Sequence, residues 1–236
     1  MKAIILAAGR GRRMANLTDE RPKCLIEVRG KPLLEWQLGA IKRAGINDVA
    51  IVTGYRRDLF EDYDVTEFHN EIWPTTNMVW SLSCAHSWLE SQPCIVCYSD
   101  IFYESSAVEL LKGCSAPLAI TYNCNWLELW SKRFKDPLSD AETFSINSEQ
   151  VVLDIGGVPK TTDEIQGQFM GLMRITPESW HEVIKIRENY QDDWSRLDTT
   201  GLLQRVIRES SLSVLGIPYE NEWFEFDSES DLDCIN

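Results

Sequence analysis

Four short apolar runs constrain this chain more than any other feature. Residues 4–8, 49–52, 94–98 and 118–122 are nearly unbroken in Ile, Val, Leu, Ala, Cys and Tyr. Runs of that length and continuity read as strands buried on both faces. Between them lie helical spacings. Leu33, Leu34, Trp36, Leu38 and Ile41 follow Pro32 and end at Gly45, and Met78, Leu82, Ala85 and Leu89 recur across 77–89. Strands alternating with helices predict an α/β fold with a doubly wound, mostly parallel central sheet. The alternation breaks after Tyr122, where 143–147, 151–155 and 169–175 read as strands with no helix between them. A small antiparallel insertion or mixed-sheet edge is expected there. Helices at 177–189 and 199–209 and strands at 213–217 and 223–226 follow, and Ser228 and Asp231 suit the cap of a last short turn. With no internal repeat or low-complexity linker, residues 1–236 are expected to form one domain.

The formal net charge of −14 argues against a nucleic-acid partner, which demands a basic face. The first part of the chain is nonetheless basic: Arg10, Arg12, Arg13, Arg21, Lys23, Arg29 and Lys31 oppose only Asp19, Glu20 and Glu27. Glycines among those charges favour a small polyanionic ligand over a merely solvated loop. No apolar run approaches the ~20 residues that cross a bilayer, and Gly9 and the arginines after it interrupt the first run before a signal sequence could form. The expectation is a cytoplasmic protein with no membrane partner. Seven cysteines are an odd number that does not space like a disulfide plan, and their strand-like surroundings favour reduced thiols. Cys94 and Cys97 form a C-x-x-C pair, but inside a strand they point to opposite faces, so core thiols are expected.

The chemistry concentrates in Leu6-Ala7-Ala8-Gly9-Arg10-Gly11-Arg12-Arg13-Met14, followed by Arg21-Pro22-Lys23. Glycines let backbone N–H groups approach phosphate oxygens that side chains would block. An arginine then supplies fork donors to the phosphates that leave, and a lysine a compact charge where negative charge builds. A dinucleotide-binding fingerprint needs glycine where Met14 stands, and a Walker loop needs a G-K-[ST] that is absent.

These residues resemble the nucleotidyltransferase family of sugar-1-phosphate enzymes and small cytidylyltransferases. The family motif, L-A-A-G-x-G-x-R with a later P-K and G-K-P-L, is matched by residues 6–13, by Pro22-Lys23 and by Gly30-Lys31-Pro32-Leu33. The resemblance implies Arg13 and Lys23 as catalytic cations. It implies a nucleotide lined by Leu6, Ala7, Ala8, Gly9, Arg10, Gly11 and Arg12, with Gly54 and Tyr55 near the base and Ser99 beside them. Asp100, past the third strand, and Asp227, in Glu225-Phe226-Asp227-Ser228, look like the family's two metal-holding aspartates, with Mg²⁺ as cofactor. Mg²⁺ prefers hard oxygen ligands, and strand ends of an open α/β sheet converge on one crevice. No general base is required, since a phosphate monoester with a second pKa near ~6 is already a nucleophilic dianion. His69, His86 and His181 are accordingly given packing or surface roles.

Asn77-Met78-Val79-Trp80-Ser81-Leu82 looks like the N-x-x-x-S-L stretch of cytidylyltransferases acting on phosphocholine or aminoethylphosphonate. The segments 133–147 and 166–172 are similar to the branch that cytidylylates phosphorylated amino-acid amides for capsule decoration. The resemblance implies CTP and a small phosphorylated acceptor as partners, leaves a homodimer open, and lets Asn77, Trp80 and Ser81 contact the acceptor. Within an expected acceptor-binding insertion or lid at about 123–175, Trp126, Trp130, Arg133 and Glu142 are acceptor candidates. A tryptophan pair suits a quaternary ammonium, and mixed charges suit an amino acid. Trp126 and Trp130 at i, i+4 equally suit one apolar helix face. Two other functions stay open: a sugar-1-phosphate nucleotidyltransferase using UTP, dTTP or GTP, and a nucleotide-binding regulator without turnover. The paired aspartates speak against the regulator.

Overall fold

The computed structural model describes residues 1–190 and 194–234. Strand β1 (Lys2–Ala7) runs into the glycine-rich loop, which closes through a 3₁₀ turn over Arg12–Thr18. Two short strands, β2 (Glu27–Val28) and β3 (Lys31–Pro32), form a hairpin. Its turn residues Arg29 and Gly30 have φ of 50° and 80°, as a two-residue turn of the type I′ family requires. Helix α1 (Leu33–Arg43) and strands β4 (Val49–Thr53) and β5 (Thr66–His69) complete the first part. The helix expected across 77–89 is divided into α2 (Met78–Cys84) and α3 (His86–Leu89) at Ala85. Just before the break, the Ser83 hydroxyl donates to the Val79 carbonyl at 2.8 Å, a back-bond that bends helices.

The middle of the chain supplies β6 (Cys94–Tyr98), β7 (Ile101–Tyr103), α4 (Ser105–Gly113), β8 (Leu118–Asn123) and α5 (Trp126–Arg133). A hairpin of β9 (Phe144–Ile146) and β10 (Val152–Ile155) precedes β11 (Gln168–Ile175). Helices α6 (Pro177–Asn189) and α7 (Thr199–Glu209) and strands β12 (Val214–Tyr219) and β13 (Trp223–Glu225) follow.

Seven strands make the main sheet, in the order β12-β8-β11-β6-β1-β4-β5. All neighbours pair parallel except at β11, which is antiparallel to both β6 and β8. Of the stretch expected as an antiparallel insertion or mixed-sheet edge, β9 and β10 form a separate antiparallel hairpin, while β11 is interior to the main sheet. Its reversal brings Gln168 and Phe169, at its start, beside the carboxyl end of β8. Alternate residues of each strand feed two cores. Ile5, Ile51, Ile95 and Cys97 meet α1, α4 and α5 on one side; Ile4, Val52, Cys94 and Val96 meet α2, α6 and α7 on the other. Cys94 and Cys97 thus lie on opposite faces, and all seven cysteines are free. Among the described residues, no helix is long and apolar enough to cross a membrane.

Candidate active site

Tight packing fixes the glycine-rich loop from beneath. Gly11 adopts φ +73°, and a Cβ there would stand 2.9 Å from the Lys23 Cβ, so the loop lies directly on that side chain. At the end of β4, the Tyr55 N–H donates to the Ala8 carbonyl at 3.0 Å, and a Cβ on Gly54 would strike that same oxygen at 2.6 Å. The Tyr55 hydroxyl donates to the Thr18 carbonyl at 3.0 Å. Tyr55 and Gly54 therefore brace the loop. Leu6 and Ala7 turn their side chains into the core, leaving only backbone for a ligand, while Arg12 is exposed and Arg10 pairs with Asp19.

Asp100 and Asp227, far apart in sequence, meet because β13 pairs antiparallel with β7. The register sets Glu225 opposite Ile101, and the Phe226 N–H donates to the Asp100 carbonyl at 2.9 Å. Lys23 enters between the two aspartates, with Nζ 2.9 Å from Asp100 Oδ2 and 3.0 Å from Asp227 Oδ1. Arg13 closes on Asp227 Oδ1 at 2.7 Å from the solvent side, its side chain 68% exposed. Lys23 is not a solvated loop lysine: its side chain is 8% exposed. Burial pulls its pKa down, but Asp100 and then Asp227 outweigh that and hold it above the ordinary value.

Glu225 is the residue the sequence reading passed over. Its carboxylate joins Asp100 and Asp227 in a triad whose ligand oxygens lie within 4.8 Å of one another. Burial, then Asp227 and Asp100, push its pKa up to about 8. The signal was present: Glu225 and Asp227 stand two apart at a strand end, the spacing that turns side chains to one side of an extended chain. One buried oxygen of the triad, Asp100 Oδ1, has no hydrogen-bond partner, as a carboxylate reserved for a cation would leave it. Hard oxygen donors of this kind fit Mg²⁺.

Beside the triad opens a cavity of about 230 Å³ lined by Arg13, Met78, Tyr98, Trp130, Asp140, Glu142, Gln168, Phe169, Asp198, Thr200, Glu225 and Asp227. Gln168 anchors the wall by accepting from the Glu142 N–H at 3.1 Å and donating to its carbonyl at 2.6 Å. Burial and then Asp198 raise the Glu142 pKa to about 7, and burial and then Asp227 raise that of Asp140.

The expected acceptor residues divide. Trp130 and Glu142 line the cavity; Ser99, expected beside the nucleotide rather than the acceptor, stands half-buried next to Asp100. Trp126 does not reach the cavity; it is 5% exposed and donates its indole N–H to the Ile165 carbonyl at 3.2 Å. Asn77 is the N-cap of α2, accepting from the Met78 N–H at 2.8 Å, and Ser81 is buried against Asn70 at 3.1 Å. Trp80 lines a separate hollow with Arg187 and Trp194. Arg133 offers no accessible cation for an acceptor carboxylate, because its side chain is 0% exposed and bound to Asp231. The spacings that suggested a helix for Trp80 and Ser81 and for Trp126 and Trp130 agree with α2 and α5; which face each residue presents depended on packing partners distant in sequence.

A family model described as the MobA-like NTP transferase domain matches residues 3–141. The chain is 34% identical to the CTP:phosphoglutamine cytidylyltransferase of Campylobacter jejuni subsp. jejuni serotype O:2, across 99% of this chain and 98% of that protein. A 43% identity to the choline-phosphate cytidylyltransferase of Streptococcus pneumoniae covers 35% of this chain and 38% of that one. Of solved structures, the inositol-1-phosphate CTP transferase from T. maritima aligns over 98% of this chain and 90% of its own, with a TM-score of 0.77 at 18% identity. The CTP:phosphocholine cytidylyltransferase from Streptococcus pneumoniae aligns over 99% and 96%, with a TM-score of 0.72 at 22% identity. At such identities, the structural likeness speaks for the fold.

Proposed function

Since the chain belongs to the MobA-like NTP transferase family, we propose that it transfers CMP from CTP to the phosphate or phosphonate of a small amine or amino acid. A phosphate oxygen of the acceptor forms a bond to the α-phosphorus of CTP, the bond from that phosphorus to the β-phosphate bridge breaks, and pyrophosphate leaves. The carrying observation is Lys23, buried between Asp100 and Asp227 under the glycine loop and beside an acid-lined cavity. The full-length likeness to a CTP-using relative favours cytidine over uridine or thymidine.

The residues divide the work. Gly9 and Gly11 offer the triphosphate a backbone surface. Arg13, whose side chain is exposed, takes the leaving phosphates, and Lys23 faces the α-phosphate, where charge builds. Asp100 and Asp227, with Glu225 beside them, would hold Mg²⁺, which supplies charge neutralisation to the triphosphate. Asp140, Glu142 and Asp198 favour an acceptor bearing an ammonium group, with Tyr98, Trp130 and Phe169 around its carbon frame. No side chain has to remove a proton, because the acceptor phosphate reaches the site as a dianion.

The test is pyrophosphate release from each of four NTPs against phosphocholine, phosphoethanolamine, 2-aminoethylphosphonate, phosphorylated glutamine and sugar 1-phosphates. Release is expected with CTP, Mg²⁺ and an amine-bearing acceptor, and none after chelation. Faster turnover of UTP or dTTP with a sugar 1-phosphate would remove the cytidylyl assignment and leave the family intact. Full activity in chelator would remove the metal.

A further inference from the structure

Arg133 ends α5 with its guanidinium wholly out of solvent. Its Nε donates to Asp231 Oδ1 at 3.0 Å, and its Nη2 to Asp231 Oδ2 at 3.3 Å and Asp227 Oδ2 at 3.5 Å. Nη1 stands 3.7 Å from Glu225 Oε2. Three rings enclose the same group, with centroids at 4.9 Å for Phe134, 5.2 Å for Trp130 and 5.6 Å for Phe224. Nothing of it faces the cavity.

Desolvating a buried charge is costly unless the geometry around it recovers that loss. Here three carboxylates share the recovery, Asp231 through the two shortest contacts and Asp227 and Glu225 through one each. Asp227 is gripped on both oxygens, Oδ1 by Lys23 and Arg13 and Oδ2 by Arg133. Turning its carboxylate about the Cβ–Cγ bond would break one set or the other. Asp231, the other arm of the grip, accepts the N–H groups of Asp227 and Ser228 at 2.8 Å each. The guanidinium is therefore referenced to the very backbone that carries Asp227. A lysine could not span these partners, because only the planar fork reaches several carboxylates at fixed angles.

The geometry points to Arg133 as a positioning residue: through Asp231 it fixes the Asp227 carboxylate so that Oδ1 faces the triad and Lys23, and it touches no substrate. This rests on the metal reading of the triad given above. It also ties the cavity to the triad, since Trp130 lines the one and Arg133, one turn further along α5, holds the other.

The test uses Arg133→Lys, which keeps the charge, and Asp231→Asn, which keeps the volume, alongside Arg133→Met. Binding of Mn²⁺ alone is followed by loss of the free-ion electron paramagnetic resonance signal, with a thermal melt of each protein. Wild type is expected to bind the ion. Arg133→Met and Asp231→Asn bind it about 10–100-fold more weakly, the usual cost of removing a partner behind a metal ligand, with partial rescue in Arg133→Lys. If Arg133→Met fails to fold, the other two variants carry the comparison. Folded variants with wild-type Mn²⁺ affinity would overturn the positioning role. So would a raised acceptor KM in Arg133→Lys at unchanged Mn²⁺ affinity, which would make Arg133 a substrate contact. A wild type that binds no Mn²⁺ would overturn the metal reading and this inference with it, an outcome legible from the wild-type trace alone.

Discussion

Replacing Lys23 with methionine removes one charge while keeping the length of a side chain packed under Gly11. The ammonium is shared by Asp100 and Asp227, whose side chains are 24% and 9% exposed. Stripping one partner from a buried ion pair costs about 3–5 kcal/mol. The upper end does not apply, because Asp100 reaches water and Asp227 keeps Arg13 and Arg133. A loss of about 2–3 kcal/mol is expected, which for a chain of this size lowers the melting temperature by roughly 4–12 °C. Catalysis should suffer more, with kcat falling ~10²–10³-fold, as when a donor aimed at developing charge is lost. With the ammonium gone, the triad faces one cation fewer, so millimolar Mg²⁺ should raise the melting temperature more in the variant than in wild type. The assay pairs single-turnover pyrophosphate release at saturating CTP with melts at several Mg²⁺ concentrations. A melt within about 1 °C of wild type, well short of the lower bound of about 4 °C, would show that Lys23 is not the counter-ion of the pair. A kcat within about threefold would show that it does not face the transition state.

Three further outcomes follow from the same geometry. Gly11→Ala forces a side chain into the left-handed region and against the Lys23 Cβ; about 1–2 kcal/mol of stability and up to ~10²-fold in kcat should be lost, and wild-type kcat in the folded variant would refute the contact. Trp126→Phe and Trp130→Phe should both lower the melting temperature, but only Trp130→Phe should raise the acceptor KM, so equal KM values would deny Trp130 its place in the cavity wall. Glu142 has a folded pKa of about 7 against an ordinary 4.5, so the native state holds a proton that the unfolded chain releases. Its contribution to stability is present below pH 4.5 and is lost as pH rises towards about 7; melts from pH 4 to 8 should show a decline that Glu142→Gln flattens, and parallel curves would contradict the shift.

Most of the sheet was legible because its strands are continuous apolar runs, which read the same wherever they sit. β11 was legible as a strand but not as an interior one. Whether a strand lies at an edge depends on which neighbours pair with it, and Met173 pairs with Val96 and Ile120, both remote in sequence. The site shows the same division. Arg13, Lys23, Asp100 and Asp227 stand out through motif and strand-end position, and the structure brings them together. Arg133 reads as a free cation in its own segment and is nothing of the kind, because the three carboxylates that claim it arrive with 225–231. Local sequence reports what a side chain is; what faces it is settled by tertiary pairing.

The short ladder between β7 and β13 sets a timetable as well as a geometry. Residues 101–103 leave the ribosome long before 223–225, and until those pair, Asp100 has no Asp227 beside it and Lys23 lacks half of its counter-charge. Contacts between such distant segments close slowly, since loop entropy must be overcome first. Assembly of the triad therefore waits on the last strand: until 223–225 dock on β7, Lys23 has Asp100 alone, and the three carboxylates are not yet together.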